Sequence, residues 1–123
     1  MPTALCSVNR DGEDLRVYYE TSQHRLGHSC PSPDEKWIIT DSQDFDENVL
    51  ALVNVESGAF QIVCWPNSSG GSKRPDQRPA NLPPHTHRHI HPAFSPSGRI
   101  VHFVSDVSGC SHVYATPVAD LMK

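Results

Sequence analysis

The chain has 123 residues, 37% of them apolar, with 14 Asp plus Glu against 10 Lys plus Arg and a net charge of −4. That length holds one domain at most, no apolar run reaches the roughly 18 residues of a membrane span, and the mild acidity speaks against a dedicated nucleic-acid binder. The residues in excess are His (8) and Pro (11), a composition of loops or of a metal centre.

The N-terminus, Met1-Pro2-Thr3-Ala4-Leu5-Cys6, has neither the basic region nor the apolar stretch of a signal peptide, so the expected compartment is the cytoplasm. Helical periodicity is absent along the chain, and short β-rich runs between turn residues take its place. The first two runs, 4–8 and 15–19, are joined through Asn9-Arg10-Asp11-Gly12, where Gly supplies a positive φ at no steric cost. A third run covers 36–40. Residues 41–48 follow as a polar loop whose Asp41, Asp44, Asp46 and Glu47 lack the spacing of a calcium loop and read as a solvated acidic cluster. Runs 49–55 and 59–65 form a hairpin across Glu56-Ser57-Gly58. Residues 66–84, rich in Pro, Ser, Gly and Arg, read as a long surface insertion. Runs 100–105 and 112–116 form the last hairpin. The four cysteines contain no C-x-x-C and are expected to be free thiols. No Gly-x-Ser-x-Gly, phosphate loop or dinucleotide fingerprint occurs.

An internal repeat organises these runs. His28-Ser-Cys-Pro-Ser-Pro-Asp-Glu-Lys-Trp-Ile aligns with His91-Pro-Ala-Phe-Ser-Pro-Ser-Gly-Arg-Ile-Val at a constant offset of 63 residues, and Ser42 and Ser105 keep that register. The period exceeds the ~40 to 50 residues of a propeller blade by about the length of the 66–84 insertion. A partial earlier copy places Val8 to Gly12 against Asn54 to Gly58. Repeats of about four short strands predict an all-β chain, a β-propeller fragment of about two and a half four-stranded antiparallel blades; a small open β-sandwich is the alternative. The expected division is 1–24 as the end of one blade, 25–65 as a full blade, 66–84 as the insertion and 85–123 as an incomplete last blade. A closed propeller needs at least ~4 blades, so missing blades or self-association must complete it.

The repeat makes His28 and His91 equivalent, each at the start of an innermost strand facing the central channel. Ahead of His91 the chain reads His85-Thr-His-Arg-His-Ile-His91, with His at every second residue. If extended, it puts these imidazoles on one face, with His89 and His91 about 6.5 to 7 Å apart. His28, His89 and His91 thus form a candidate site for Zn, Mn, Fe, Ni or Cu that keeps coordination positions open. Arg25 and Arg88, beside these histidines, could clamp a substrate carboxylate. His24, His102 and His112 have no partner by spacing and read as structural.

His89-Ile-His-Pro-Ala-Phe-Ser-Pro-Ser-Gly98, followed by Val101-His-Phe-Val-Ser-Asp106 and the Gly109 turn into Val113-Tyr114, resembles the last blade of oligogalacturonate lyase, a seven-bladed propeller of the TolB-like, PD40-repeat type. The Gly27-His28 strand and the 49–63 hairpin resemble its preceding blade. The resemblance covers residues 4–120, the C-terminal third of such an enzyme. It implies a divalent metal, Mn²⁺, held by His28, His89 and His91. The family's fourth ligand, a Gln, falls on Thr86, so His87, Thr86 or water stands as the candidate fourth. It further implies an oligogalacturonide substrate cleaved by β-elimination, with the family's catalytic His and its associated Arg in blades upstream of Met1. This chain would then supply the metal-binding half of the site and no catalytic base.

Overall fold

The computed structural model describes residues 1–44, 47–69 and 89–123. Among them it is all-β, with nine strands in three antiparallel sheets and one 3₁₀ turn, Ala119–Leu121. The strands are β1 (Thr3–Ser7), β2 (Arg16–Thr21), β3 (Leu26–Pro31), β4 (Trp37–Ser42), β5 (Leu50–Asn54), β6 (Phe60–Cys64), β7 (Ala93–Phe94), β8 (Ile100–Ser105) and β9 (His112–Pro117). They pair as β1-β2, β3-β4-β5-β6 and β7-β8-β9, the two, four and three strands that the repeat predicts. No helix among the described residues is long and apolar enough to cross a membrane.

The repeat is reproduced bond by bond. In the first copy Ser32 N–H donates to the Trp37 carbonyl (2.8 Å) and Glu35 N–H to the Ser32 carbonyl (2.9 Å); in the second, Ser95 N–H donates to Ile100 and Gly98 N–H to Ser95, both at 2.8 Å. Each serine hydroxyl also accepts the next strand's first N–H, from Trp37 at 3.0 Å and from Ile100 at 3.3 Å. The fourth turn residue is left-handed in both copies, Glu35 at φ 59° and Gly98 at φ 71°. Serine therefore recurs because its hydroxyl closes the turn. The two turns lie side by side, since a side chain added at Gly98 would meet the Pro33 ring at 3.2 Å.

The central strand β5, Leu-Ala-Leu-Val-Asn, is a near-continuous apolar run and β4 begins with Trp-Ile-Ile, and both strands are largely buried. Ile39, Leu50 and Leu52 of the second sheet pack with Ile90, Val101, Phe103 and Val118 of the third in one core. Two expectations fail here. Residues 66–69, the start of the expected surface insertion, are pinned: Pro66, Ser68 and Ser69 are buried and only Asn67 is exposed. Asn48 Nδ2 donates to the Ser68 carbonyl (2.6 Å), Ser69 N–H donates to Asp106 (2.7 Å), and the Ser105 hydroxyl donates to the Pro66 carbonyl (2.7 Å). The remainder of that insertion lies outside the described residues. The acidic cluster is not uniformly solvated either. Asp41 belongs to β4 and is 1% exposed, because its carboxylate has donors of its own. Asp44 is engaged as well, Glu47 is exposed as expected, and Asp46 lies outside the described residues.

Candidate metal centre

The site begins with a β-bulge. On β3, Leu26 pairs with Ser42 and Ser29 with Thr40, so β3 carries one residue more than β4 across this stretch. The extra residue falls at Gly27-His28. A bulge leaves peptide groups without ladder partners and re-aims a side chain. Here β4 side chains take over the lost bonds. The Asp41 carboxylate accepts the His28 N–H at 2.8 Å, and Thr40 Oγ1 donates to the His28 carbonyl at 3.1 Å. Gly27 leaves the space this requires: a Cβ there would sit 2.4 Å from Asp41 Oδ1 and 2.7 Å from Gln43 Nε2.

The same carboxylate fixes the His28 ring. His28 Nδ1 lies 2.9 Å from Asp41 Oδ2, with the imidazole 31% and the carboxylate 1% exposed. It also reaches the third sheet, since His91 N–H donates to Asp41 Oδ2 at 3.1 Å. Ile90, between the two remaining histidines, is buried in the core, and its carbonyl accepts Val104 N–H at 2.8 Å. The rings of its two neighbours, His89 and His91, lie beside His28.

The three imidazoles converge. Ring centroids are 3.6 Å apart for His28 and His91, 5.4 Å for His28 and His89, and 5.8 Å for His89 and His91. One ring nitrogen from each lies within 4.8 Å of the other two. Bonds of ~2.0–2.1 Å to a tetrahedral ion place nitrogens about 3.4 Å apart, the separation to which an ion would draw them. Three neutral imidazoles suit a borderline divalent transition metal.

The expected route to this cluster needs correction in two respects. His28 is the third residue of β3 rather than its start, and His91 precedes β7 by two residues. The 89–91 segment is not an extended strand either: His91 has φ 45°, a left-handed conformation that its hydrogen bond to Asp41 holds in place. Of the other candidates, Arg25 has an exposed side chain, while its backbone N–H donates to Asp44 at 2.7 Å. Thr86, His87 and Arg88 lie outside the described residues. Asp41, which the sequence reading assigned to a solvated loop, is the residue that reading missed. The available signal was Gly27, because an isolated Gly in a strand marks a bulge.

The other described histidines, His24, His102 and His112, lie outside this cluster. His24 Nδ1 lies 2.9 Å from Asp44 Oδ2, and the ring stacks on Phe60 with centroids 5.6 Å apart. Burial pushes the Asp44 carboxyl up, but hydrogen bonds from Arg25 N–H, His24 and Ser42 outweigh it and hold the group below its usual value. His102 is exposed on β8. His112 Nε2 lies 2.9 Å from Cys110 Sγ. All four cysteines are free, and burial raises the Cys64 thiol above its usual value.

No family model and no curated protein matches this chain. Solved structures do. An oligogalacturonate lyase in complex with manganese matches with a TM-score of 0.76 at 18% identity, over 98% of this chain and 30% of the enzyme. An oligogalacturonate lyase from Vibrio parahaemolyticus matches with a TM-score of 0.66 at 21% identity, over 94% of this chain and 29% of its own. TolB from Acinetobacter baumannii matches with a TM-score of 0.66 at 17% identity, over 95% of this chain and 24% of its own. The chain thus spans between a quarter and a third of the structures it resembles, and its fold is that of consecutive β-propeller blades.

Proposed function

We propose that this chain carries the divalent-metal part of a lyase that cleaves oligogalacturonides by β-elimination. The observation that carries the reading is the convergence of His28, His89 and His91, on a fold shared with an oligogalacturonate lyase in complex with manganese. The donor set fits the ion: three imidazoles, one from β3 and two from the segment leading into β7, the first with its ring already held through Nδ1 by a buried carboxylate. A bound Mn²⁺ would neutralise a uronate carboxylate and stabilise the charge that develops as the C5 proton leaves.

The chain's own residues have narrower tasks. His28, His89 and His91 would hold the ion and leave coordination positions for the substrate carboxylate. Arg25, and Arg88 on the same side in sequence, would supply cationic contacts to the neighbouring uronates. A base takes the C5 proton, the C4=C5 double bond forms as the C4–O bond breaks, the departing oxygen takes up a proton, and the product is an unsaturated uronide; by the resemblance that base belongs to other blades of the propeller. Paired carboxylates of the glycosidase kind are not required. The remaining blades, or further copies of the chain, would complete the propeller. The reading predicts that this chain binds Mn²⁺ stoichiometrically, that EDTA removes the ion, and that oligogalacturonate yields unsaturated-uronide absorbance, abolished by EDTA, when the blades carrying the base are present with it.

A second reading, a TolB-like binding module without lyase activity, is supported by the comparable match to TolB. It predicts no absorbance change with oligogalacturonate whether or not metal is present.

A further inference from the structure

We propose that Asp41 is the positioning residue of the metal centre: it sets the tautomer of His28 and locks the backbone of His91, so that a ligand on β3 and the ligands of the segment leading into β7 present their nitrogens together. This inference rests on the metal reading above.

The observation is a count of donors on one carboxylate. Asp41 Oδ1 accepts His28 N–H (2.8 Å), and Oδ2 accepts both His28 Nδ1 (2.9 Å) and His91 N–H (3.1 Å). A carboxylate offers lone pairs and no proton. His28 Nδ1 must then carry the hydrogen, which leaves the Nε2 lone pair for an ion. Outer-sphere carboxylates of this kind fix ring orientation and raise ligand basicity.

The second bond does a different task. His91 sits at φ 45°, a conformation that L-residues avoid, and its N–H is tied to the same oxygen that holds His28. One buried side chain on β4 therefore couples a ligand in the second sheet to a ligand that leads into the third. The internal repeat cannot provide this twice. At the 63-residue offset Asp41 corresponds to Val104, so a single carboxylate serves both repeat-equivalent histidines.

An amide cannot replace it. Turned one way, Asn at position 41 sets its NH₂ against the His28 N–H. Turned the other way, the NH₂ faces the His91 N–H and donates to His28 Nδ1, which moves the ring proton to Nε2 and removes that nitrogen from ligation. A merely structural Asp41 would leave the His28 tautomer to chance.

Two measurements on the intact chain test this. Long-range ¹H–¹⁵N spectra of the metal-free protein should show His28 protonated on Nδ1; an Nε2–H form overturns the proposal without any variant. Titration with Mn²⁺ alone should show Asp41→Asn binding ~10–100-fold more weakly than wild type, with an unchanged circular dichroism spectrum and with Asp44→Asn binding as wild type does. Equal affinities for wild type and Asp41→Asn overturn this proposal alone. Absence of Mn²⁺ binding by the wild type overturns the metal reading and the proposal with it. If Asp41→Asn does not fold, the wild-type tautomer decides.

Discussion

Among the described residues the chain contains two imidazole–carboxylate pairs with nearly the same local geometry, one between β3 and β4 and the other a few residues away, where His24 precedes β3 and Asp44 follows β4. Asp41 accepts a backbone N–H at 2.8 Å and His28 Nδ1 at 2.9 Å. Asp44 accepts a backbone N–H at 2.7 Å and His24 Nδ1 at 2.9 Å. What differs is the surroundings. Asp41 is 1% exposed and takes a third donor from another sheet, whereas Asp44 is 20% exposed. His28 faces two further imidazoles, whereas His24 faces the Phe60 ring. The pair alone defines no chemistry. The group that meets the other edge of the ring does.

The largest expected effect separates the two pairs outright. His28→Ala or His91→Ala should abolish stoichiometric Mn²⁺ binding in calorimetry, a greater loss than the ~10–100-fold that an outer-sphere change costs. His24→Ala should leave binding untouched. Loss of Mn²⁺ by His24→Ala would break the comparison, and retention by His28→Ala would remove the metal assignment.

The next effect probes the space around the first carboxylate. Gly27→Ala puts a methyl where Asp41 Oδ1 and Gln43 Nε2 already stand. Overpacking of this kind costs about 1–3 kcal/mol, and displacing Asp41 should weaken Mn²⁺ binding as well. Gly12→Ala is the control, since Gly12 has φ 84° and nothing within 4 Å of an added methyl. Only backbone strain of about 1 kcal/mol is expected there, with metal affinity unchanged. Urea unfolding and a Mn²⁺ titration of both variants check this; a Gly27→Ala protein that matches Gly12→Ala in both would show that Asp41 is not confined.

The second pair should register in stability alone. His24→Ala removes the stack on Phe60 and leaves Asp44 with one donor fewer. The expected loss is about 1–2 kcal/mol in urea unfolding. A stability equal to wild type would mean that the pair and its stack contribute nothing to folding.

The sheets were legible in the sequence because the repeat is. Ser32-Pro33 and Ser95-Pro96 mark turns that serine hydroxyls close, and the strands between turns follow from their apolar runs. The same symmetry makes His28 and His91 equivalent, and His89 joins them through the His-x-His spacing although the backbone between them is not extended. Asp41 was not legible for the same reason the histidines were. Its repeat partner is Val104, so symmetry is silent about it, and its acidic neighbours disguise it as part of a polar loop. Its role depends on a bulge one strand away, a register detail that a period-2 pattern does not encode. Residues 66–69 escaped for a related reason. Their Ser and Pro content reads as a loop, and their burial depends on distant partners, Asn48, Ser105 and Asp106.

The smallest effect concerns acid. Burial raises the Asp44 carboxyl, yet the bonds from Arg25, His24 and Ser42 prevail and set it below the ordinary carboxylate value. A carboxyl depressed on folding contributes stability above its unfolded pKa of ~3.9, and that contribution disappears as pH falls through the folded value. Wild type should therefore lose more stability than Asp44→Asn between about pH 5 and the acid limit, and the two melting curves should draw together there. The exposure of the pair keeps the difference small. A gap in Tm between wild type and Asp44→Asn that stays constant from neutral pH into acid would show that Asp44 contributes through its shape and not its charge. The two pairs would then differ in kind: one carboxylate needed for the electrons it offers a ligand ring, the other only for the space it fills.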